Sequence, residues 1–144
     1  MAGGDIDPVA AARAWIGTPY RAGAALRGVG CDCVGLVRGV LRDVTGRHVP
    51  APHGWRADWA AAPGAPLLDA ARRHLIELKP AEARPGDVVA FRMGGARVAH
   101  CGILTDAGRV VHAAEGVGVV EVTLAAWRGR IAFCARFPVR FPAL

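Results

Sequence analysis

The feature that most constrains the fold is a change of character halfway along the chain. Up to residue 78 the apolar residues recur at helical spacing. After Arg84-Pro-Gly-Asp87 they fall into short runs rich in Val, Ile and Phe, several separated by Gly turns. Five such runs, 88–92, 98–104, 109–113, 117–122 and 131–137, are each of strand length, and 124–127 reads as one helical turn between the last two. Helices gathered ahead of a run of strands predict an α+β domain, with an antiparallel sheet of about five strands packed on N-terminal helices. In the first half, Asp7-Pro8 supplies an N-cap acceptor and an N1 proline for a helix over 9–16, which Gly17 stops. Residues 17–30 hold four glycines and one proline and predict an ordered loop. Asp32 then caps a helix in which Val34, Leu36, Val37, Val40, Leu41 and Val44 share a face, ending before Gly46. Residues 48–66, rich in proline, read as a surface excursion with a short turn at 59–62, and 66–78 as a further helix.

With 144 residues there is room for one domain, expected to span 1–144 and to be monomeric as an isolated chain. A hydrophobic fraction of 53% against 21% charged excludes intrinsic disorder. The longest stretch free of charge outside the termini is 59–68, well short of the roughly 18 residues that span a bilayer. Asp5 and Asp7 stand where a secretory signal carries positive charge, so synthesis in the cytoplasm without that signal is expected. The net charge of +6 rests on 17 arginines and Lys79, scattered rather than gathered and not interleaved with aromatics, which argues against nucleic-acid binding. No membrane association is expected.

The four cysteines, Cys31, Cys33, Cys101 and Cys134, are expected to be reduced, since a chain this apolar needs no disulfide staples. Cys31 and Cys33 are also too close for an easy mutual bond. Cys33 falls in the first turn of the predicted second helix. Unpaired N–H groups there favour a thiolate and offer donors to the oxyanion of an acyl-transfer intermediate. His100 begins one predicted strand and His112 ends the next; pairing around Thr105-Asp-Ala-Gly108 brings both to one end of the sheet. One ring is then a candidate base and the other a candidate orienter for a cysteine nucleophile.

Gly17-Thr-Pro-Tyr20, Asp32-Cys33-Val-Gly-Leu-Val37, Pro85-Gly-Asp-Val-Val-Ala-Phe91, His100-Cys-Gly-Ile-Leu104 and Val110-Val-His-Ala113 occur in the order found in the NlpC-type cell-wall peptidase superfamily, which the chain resembles over about residues 7–137. These are papain-like cysteine hydrolases of bacterial peptidoglycan. The Arg27-Gly-Val-Gly-Cys-Asp-Cys33 and His112-Ala-Ala-Glu-Gly-Val-Gly-Val-Val-Glu121 segments resemble the phage and gene-transfer-agent peptidases within it. The resemblance implies Cys33 as nucleophile, His100 as general base, His112 as its orienting partner, Tyr20 lining the substrate cleft, and Asp32 as an acid that helps recognise the stem peptide. It implies hydrolysis of a stem-peptide amide, commonly between D-Glu and a diamino acid, through a thioester, with no metal or organic cofactor. Phage-like tail proteins are the implied partners and the cell wall the implied place of action. Val34, where many members have Ser, the Arg21-Ala-Gly-Ala24 segment and the extra thiol Cys31 depart from the family pattern.

Alternatives from other classes remain at this point. Cys31, Cys33, His100, Cys101 and His112 include enough nitrogen and sulfur for a zinc site, although C-x-C spacing and adjacent strand residues suit one poorly. A silent wall-binding or tail-structural domain is compatible with the same fold, as is an amidase or acyltransferase in which an amine resolves the thioester. Cys101 and Cys134 lie in apolar runs and read as core, while His48, His53 and His74 read as solvated. Asp87 reads as a turn residue introducing a strand.

Overall fold

Asp7 accepts the N–H of Val9 at 3.2 Å and opens helix α1, Pro8–Arg13. The structure, a computed structural model, describes residues 6–52, 65–106 and 108–138. The helical pattern predicted to run to residue 16 ends earlier, at Arg13. The next turn tightens to three-residue hydrogen bonds, Trp15 N to Ala12 O and Ile16 N to Arg13 O, before Gly17 takes a positive φ. The glycine-rich stretch is an ordered loop, as expected, and also carries a small hairpin, β1 (Ala25–Leu26) with β2 (Gly30–Cys31). Helix α2, Cys33–Thr45, follows at once and ends on Gly46 in the left-handed region. The predicted turn at 59–62 lies outside the described residues.

The predicted helix over 66–78 is corrected by the structure. Helix α3, Pro66–His74, stops at Leu75, which is extended, and β3, Ile76–Leu78, pairs antiparallel with the last strand. Edge pairing with Ala135 and Cys134 supplies backbone hydrogen bonds that outweigh a short helical pattern, a tertiary effect on a weak local preference. The sheet therefore has six strands rather than five: β3, β4 (Val88–Arg92), β5 (Val98–Leu104), β6 (Arg109–Ala114), β7 (Gly118–Thr123) and β8 (Ile131–Arg136), in the order β3-β8-β4-β5-β6-β7. A 3-10 segment, Ala125–Arg130, connects β7 and β8.

Alternation along the strands divides the core. Val88, Ile103, Val111, Ala113 and Val119 pack with Leu36, Val40, Leu41 and Val44 of α2 and with Ala11, Ala12 and Trp15. Val89, Phe91, Leu104, Val110, Leu124 and Cys134 form a separate cluster, against which Trp127 of the 3-10 segment packs. Full burial of a side chain such as Leu36 is worth about 2–3 kcal/mol, so the apolar face of α2 does much to fix the helix on the sheet. Two glycines on that helix permit close approach. A Cβ on Gly39 would stand 2.1 Å from the Trp15 ring, and one on Gly35 1.8 Å from the Ala24 carbonyl oxygen. The second approach ties the glycine-rich loop to the first turn of α2.

At the other end of the sheet, buried Asp87 accepts from Arg136 Nε and Nη2, each at 2.9 Å, and from Arg84 N. It introduces β4 as a turn residue, and it also locks β8 beside that turn.

Candidate active site

Cys33 is the first residue of α2, and the chain enters that helix through a strongly tied loop. Asp32 is its N-cap: Oδ1 accepts the Gly35 N–H at 2.7 Å and Oδ2 accepts the Gly23 N–H at 2.7 Å. One carboxylate thereby satisfies a helix-end donor and holds the loop against the helix. Cys31 N donates to Pro19 O and Arg21 N to Cys31 O, fixing Tyr20 beside Cys31. Leu36 N donates to Asp32 O, the first bond of the helical ladder, and Asp32 takes the N–H of Gly35. The N–H groups of Cys33 and Val34 precede both, at a helix end whose unpaired donors favour negative charge.

The two histidines meet from different strands. His100 Nε2 lies 3.0 Å from His112 Nδ1, with the rings edge to face at a centroid separation of 5.1 Å. Strands β5 and β6 pair only near their turn, at Ile103 with Val111 and Leu104 with Val110, so the histidine side chains meet where the ladder has opened. His100 also bears on Cys33, whose thiol pKa it lowers through hydrogen bonding and charge. The three residues expected from the sequence, Cys33, His100 and His112, therefore gather at one place in the fold.

The electrostatics favour a thiolate. The Cys33 pKa is lowered from the ordinary 9.0 to about 6, first by its interaction with the Cys101 thiol and then by hydrogen bonding and charge attraction from His100; burial and Asp32 oppose the change. The helix N-terminus acts in the same direction as His100. His112 is pushed down to about 4 by burial and then by the His100 charge, so it is neutral at ordinary pH and its Nδ1 lone pair can accept from His100. Tyr20, half-buried, is pushed up to about 12 by burial and then by the charges of Cys33, Asp32 and Glu115, and is a neutral phenol within electrostatic reach of Cys33. Cys31 is pushed up to about 12 by burial and the adjacent Asp32, which keeps it an unreactive thiol. All four cysteines are free.

Two residues at the site were not singled out by the sequence pattern. Cys101, buried in a cluster with Cys33 and Val34 as its apolar run suggests, also places Sγ 3.3 Å from the Cys33 carbonyl oxygen. Its parity with Ile103, which faces α2, is the signal that could have found it. Trp127 lies 4.9 Å from the His112 ring, 5.5 Å from His100 and 5.0 Å from Phe91, centroid to centroid. No local signal marks it, because only the tertiary path of the 3-10 segment brings it there. Of the remaining histidines, His48 is exposed and His74 half-buried, while His53 lies outside the described residues. Among the described residues no group of three or more His, Cys, Asp or Glu side chains is arranged to hold a metal ion, and no helix is long and apolar enough to cross a membrane.

Known proteins resemble this chain in sequence and fold. The curated gamma-DL-glutamyl hydrolase of Bacillus subtilis (strain 168) is 28% identical over 136 residues, covering 92% of this chain but 29% of that protein. The chain therefore spans less than a third of that relative's length. Among solved structures, the NlpC/p60 domain of the peptidoglycan hydrolase SagA superposes with a TM-score of 0.64 at 27% identity, covering 90% of this chain and 95% of that one. The peptidoglycan hydrolase RipB from Mycobacterium tuberculosis gives a TM-score of 0.62 at 21% identity, covering 94% and 64% of the two chains, a likeness of fold alone. These superpositions agree with the papain-like architecture, a thiol at a helix N-terminus against an antiparallel sheet. Residues 17–136, which run from the loop before Cys33 through both histidine strands to the end of β8, match the NlpC/P60 family, and the chain belongs to it.

Proposed function

We propose that this chain is a cysteine endopeptidase that hydrolyses amide bonds in peptidoglycan stem peptides, with the bond from D-Glu to a diamino acid as the preferred target. The observation that carries this reading is Cys33 at the start of α2, its pKa lowered by His100, with His100 Nε2 in turn 3.0 Å from His112 Nδ1. Membership of the NlpC/P60 family and the likeness to a gamma-DL-glutamyl hydrolase support the choice of substrate.

The residues suggest the following course. The Cys33 thiolate attacks the scissile carbonyl carbon, and the N–H groups of Cys33 and Val34 receive the charge that builds on the oxygen. The His100 imidazolium, hydrogen-bonded through Nε2–H to the Nδ1 lone pair of His112, transfers its Nδ1 proton to the leaving amine. The C–N bond breaks and a thioester remains. His100, now neutral, takes a proton from water, whose oxygen attacks the thioester carbonyl; the carboxylic acid leaves and the thiolate–imidazolium pair is restored. Tyr20 lines the cleft. Asp32, buried with its two carboxylate oxygens on the Gly35 and Gly23 N–H groups, helps recognise the stem peptide by holding the loop and the helix that frame it. The chain acts on the cell wall as a tail or lysis component of a phage-like particle. That context is supported by the likeness of the Arg27–Cys33 and His112–Glu121 segments to phage and gene-transfer-agent peptidases.

Mass spectrometry of the fragments released from purified peptidoglycan, by the wild-type chain and by Cys33→Ala under reducing conditions, tests the reading. Cleaved stem peptides from the wild type alone are expected, and their masses identify the bond. Release by neither, with the wild type folded, refutes it.

A further inference from the structure

The two histidines do not stand in open solvent, and what covers them comes from outside the strands that carry them. Trp127 belongs to the 3-10 segment Ala125–Arg130, held in place by the hydrogen bond from Trp127 N to Leu124 O, with Leu124 itself buried. Its ring meets His112 edge to face at 61° and 4.9 Å, and tilts over His100 at 54° and 5.5 Å. Phe91 completes the enclosure, at 81° to Trp127 and stacked on His100 at 6.3 Å. One indole therefore touches both members of the base–orienter pair.

We propose that Trp127 is a positioning residue for the NlpC/P60 reaction: by shutting water away from His112 it keeps that ring neutral, so that a lone pair always awaits the Nε2–H of His100. The inference rests on the roles given to His100 and His112 under the proposed function. The physical case is direct. When Cys33 gives its proton to His100, the imidazolium carries N–H donors at both nitrogens and needs an acceptor at Nε2. A protonated His112 has a donor there instead, and two like charges 3.0 Å apart repel. An imidazole exposed to water takes up a proton near pH 6.5, inside the working range of most hydrolases. Among the described residues the charged group that bears on His112 is His100 from β5, which lowers its proton affinity. Burial contributes more than that charge. Trp127 belongs to the apolar cover responsible: its ring centroid lies 4.9 Å from that of His112, which is only 5% exposed.

The test uses the full chain and needs no wall substrate. The His112 ring is followed by NMR through a pH titration in the wild type, Trp127→Ala and Trp127→Phe, and the rate of Cys33 alkylation by iodoacetamide is measured over the same range. In the wild type His112 is expected to stay neutral well below pH 6. In Trp127→Ala its titration is expected to move upward by at least one pH unit, with the acid limb of Cys33 alkylation moving in the same direction and the high-pH plateau retained. Trp127→Phe, which keeps an aromatic face, restores most of both. A purely structural role lowers signal and reactivity at every pH and moves neither midpoint. The proposal is overturned if His112 titrates near pH 6.5 in the wild type, a result that does not depend on any variant folding. It is equally overturned if a folded Trp127→Ala leaves the midpoint unmoved. Failure of the catalytic reading itself looks different: Cys33 alkylation then follows an ordinary thiol in the wild type and ignores His100→Ala.

Discussion

Replacing Cys101 by Ala is expected to raise the pH at which Cys33 becomes reactive. The thiol of Cys101 is the largest of the influences that lower the Cys33 pKa, and its sulfur lies 3.3 Å from the Cys33 carbonyl oxygen, so the two buried residues are in direct contact. The total drop, from 9.0 to about 6, corresponds to about 4 kcal/mol in favour of the charged form at about 1.4 kcal/mol per unit. Hydrogen bonds to charged groups are worth about 1.5–3 kcal/mol, and an S–H is a weak donor. Its loss therefore corresponds to a rise of about one pH unit, with His100 and the helix N-terminus supplying the rest. The sign follows from the charge: the thiolate forms above its pKa, so a higher pKa removes reactivity from the acid side first. At pH 5 the alkylation rate is expected to fall roughly tenfold, while at pH 9 it is unchanged. Cys101→Ser, which keeps a donor, is expected to remain near the wild-type midpoint. Mass spectrometry of iodoacetamide-treated protein assigns the reacted residue. Cys31 at about 12, Cys134 raised by burial, and Cys101, raised by its bond to Cys33 and by burial, leave Cys33 as the thiol that reacts below neutral pH. A folded Cys101→Ala whose midpoint coincides with the wild type refutes the reasoning, as does a wild-type midpoint near 9.

Gly35→Ala places a Cβ 1.8 Å from the Ala24 carbonyl oxygen and 3.0 Å from Asp32 Oδ1; a loss of about 1–3 kcal/mol in urea unfolding and of most Cys33 alkylation is expected, because the loop must retreat from the nucleophile. Asp32→Ala removes both the cap on Gly35 and the tie to Gly23, and about 1–2 kcal/mol of stability is expected to go with them, read from the urea midpoint. A stability unchanged within error rejects the dual role given to that carboxylate. Glu121 is held at about 2, against an ordinary 4.5, by Arg13 first and then Thr105 and Arg109. A depressed carboxylate stabilises fully above its unfolded pKa and loses that contribution as pH falls through the folded one, so the window is pH 4.5 down to 2. Urea midpoints of the wild type are expected to drop across that window more steeply than those of Glu121→Gln; parallel slopes contradict the assignment.

Much of this molecule is legible in local pattern. Asp7-Pro8 and Asp32 mark helix starts because a short side-chain acceptor and a fixed φ act within a few residues. The β-branched runs from Val88 onward mark strands because alternation is itself a local property. Cys33 at a helix start, and His100 and His112 flanking one turn, are legible for the same reason: nearest-neighbour geometry carries them to within reach of each other. Where pairing is distant, the pattern misleads. Ile76–Leu78 looks helical in isolation and becomes a strand because β8, more than fifty residues later, offers its edge. Asp87 announces a turn, yet its ion pair with Arg136 depends on the path of β8 beside β4.

What the sequence determined alone, then, is most of the elements and their order, short of β3 and the β1–β2 hairpin, together with a thiol at a helix start and two imidazoles flanking one turn. The tertiary structure decided the environment of those groups: Cys101 against the thiol, Trp127 and Phe91 around the imidazoles, Asp32 joining loop to helix. The division is physical. Capping and alternation act over a few residues, whereas burial and charge proximity, which set whether a thiol is a thiolate and an imidazole neutral, depend on residues that only the folded chain brings together.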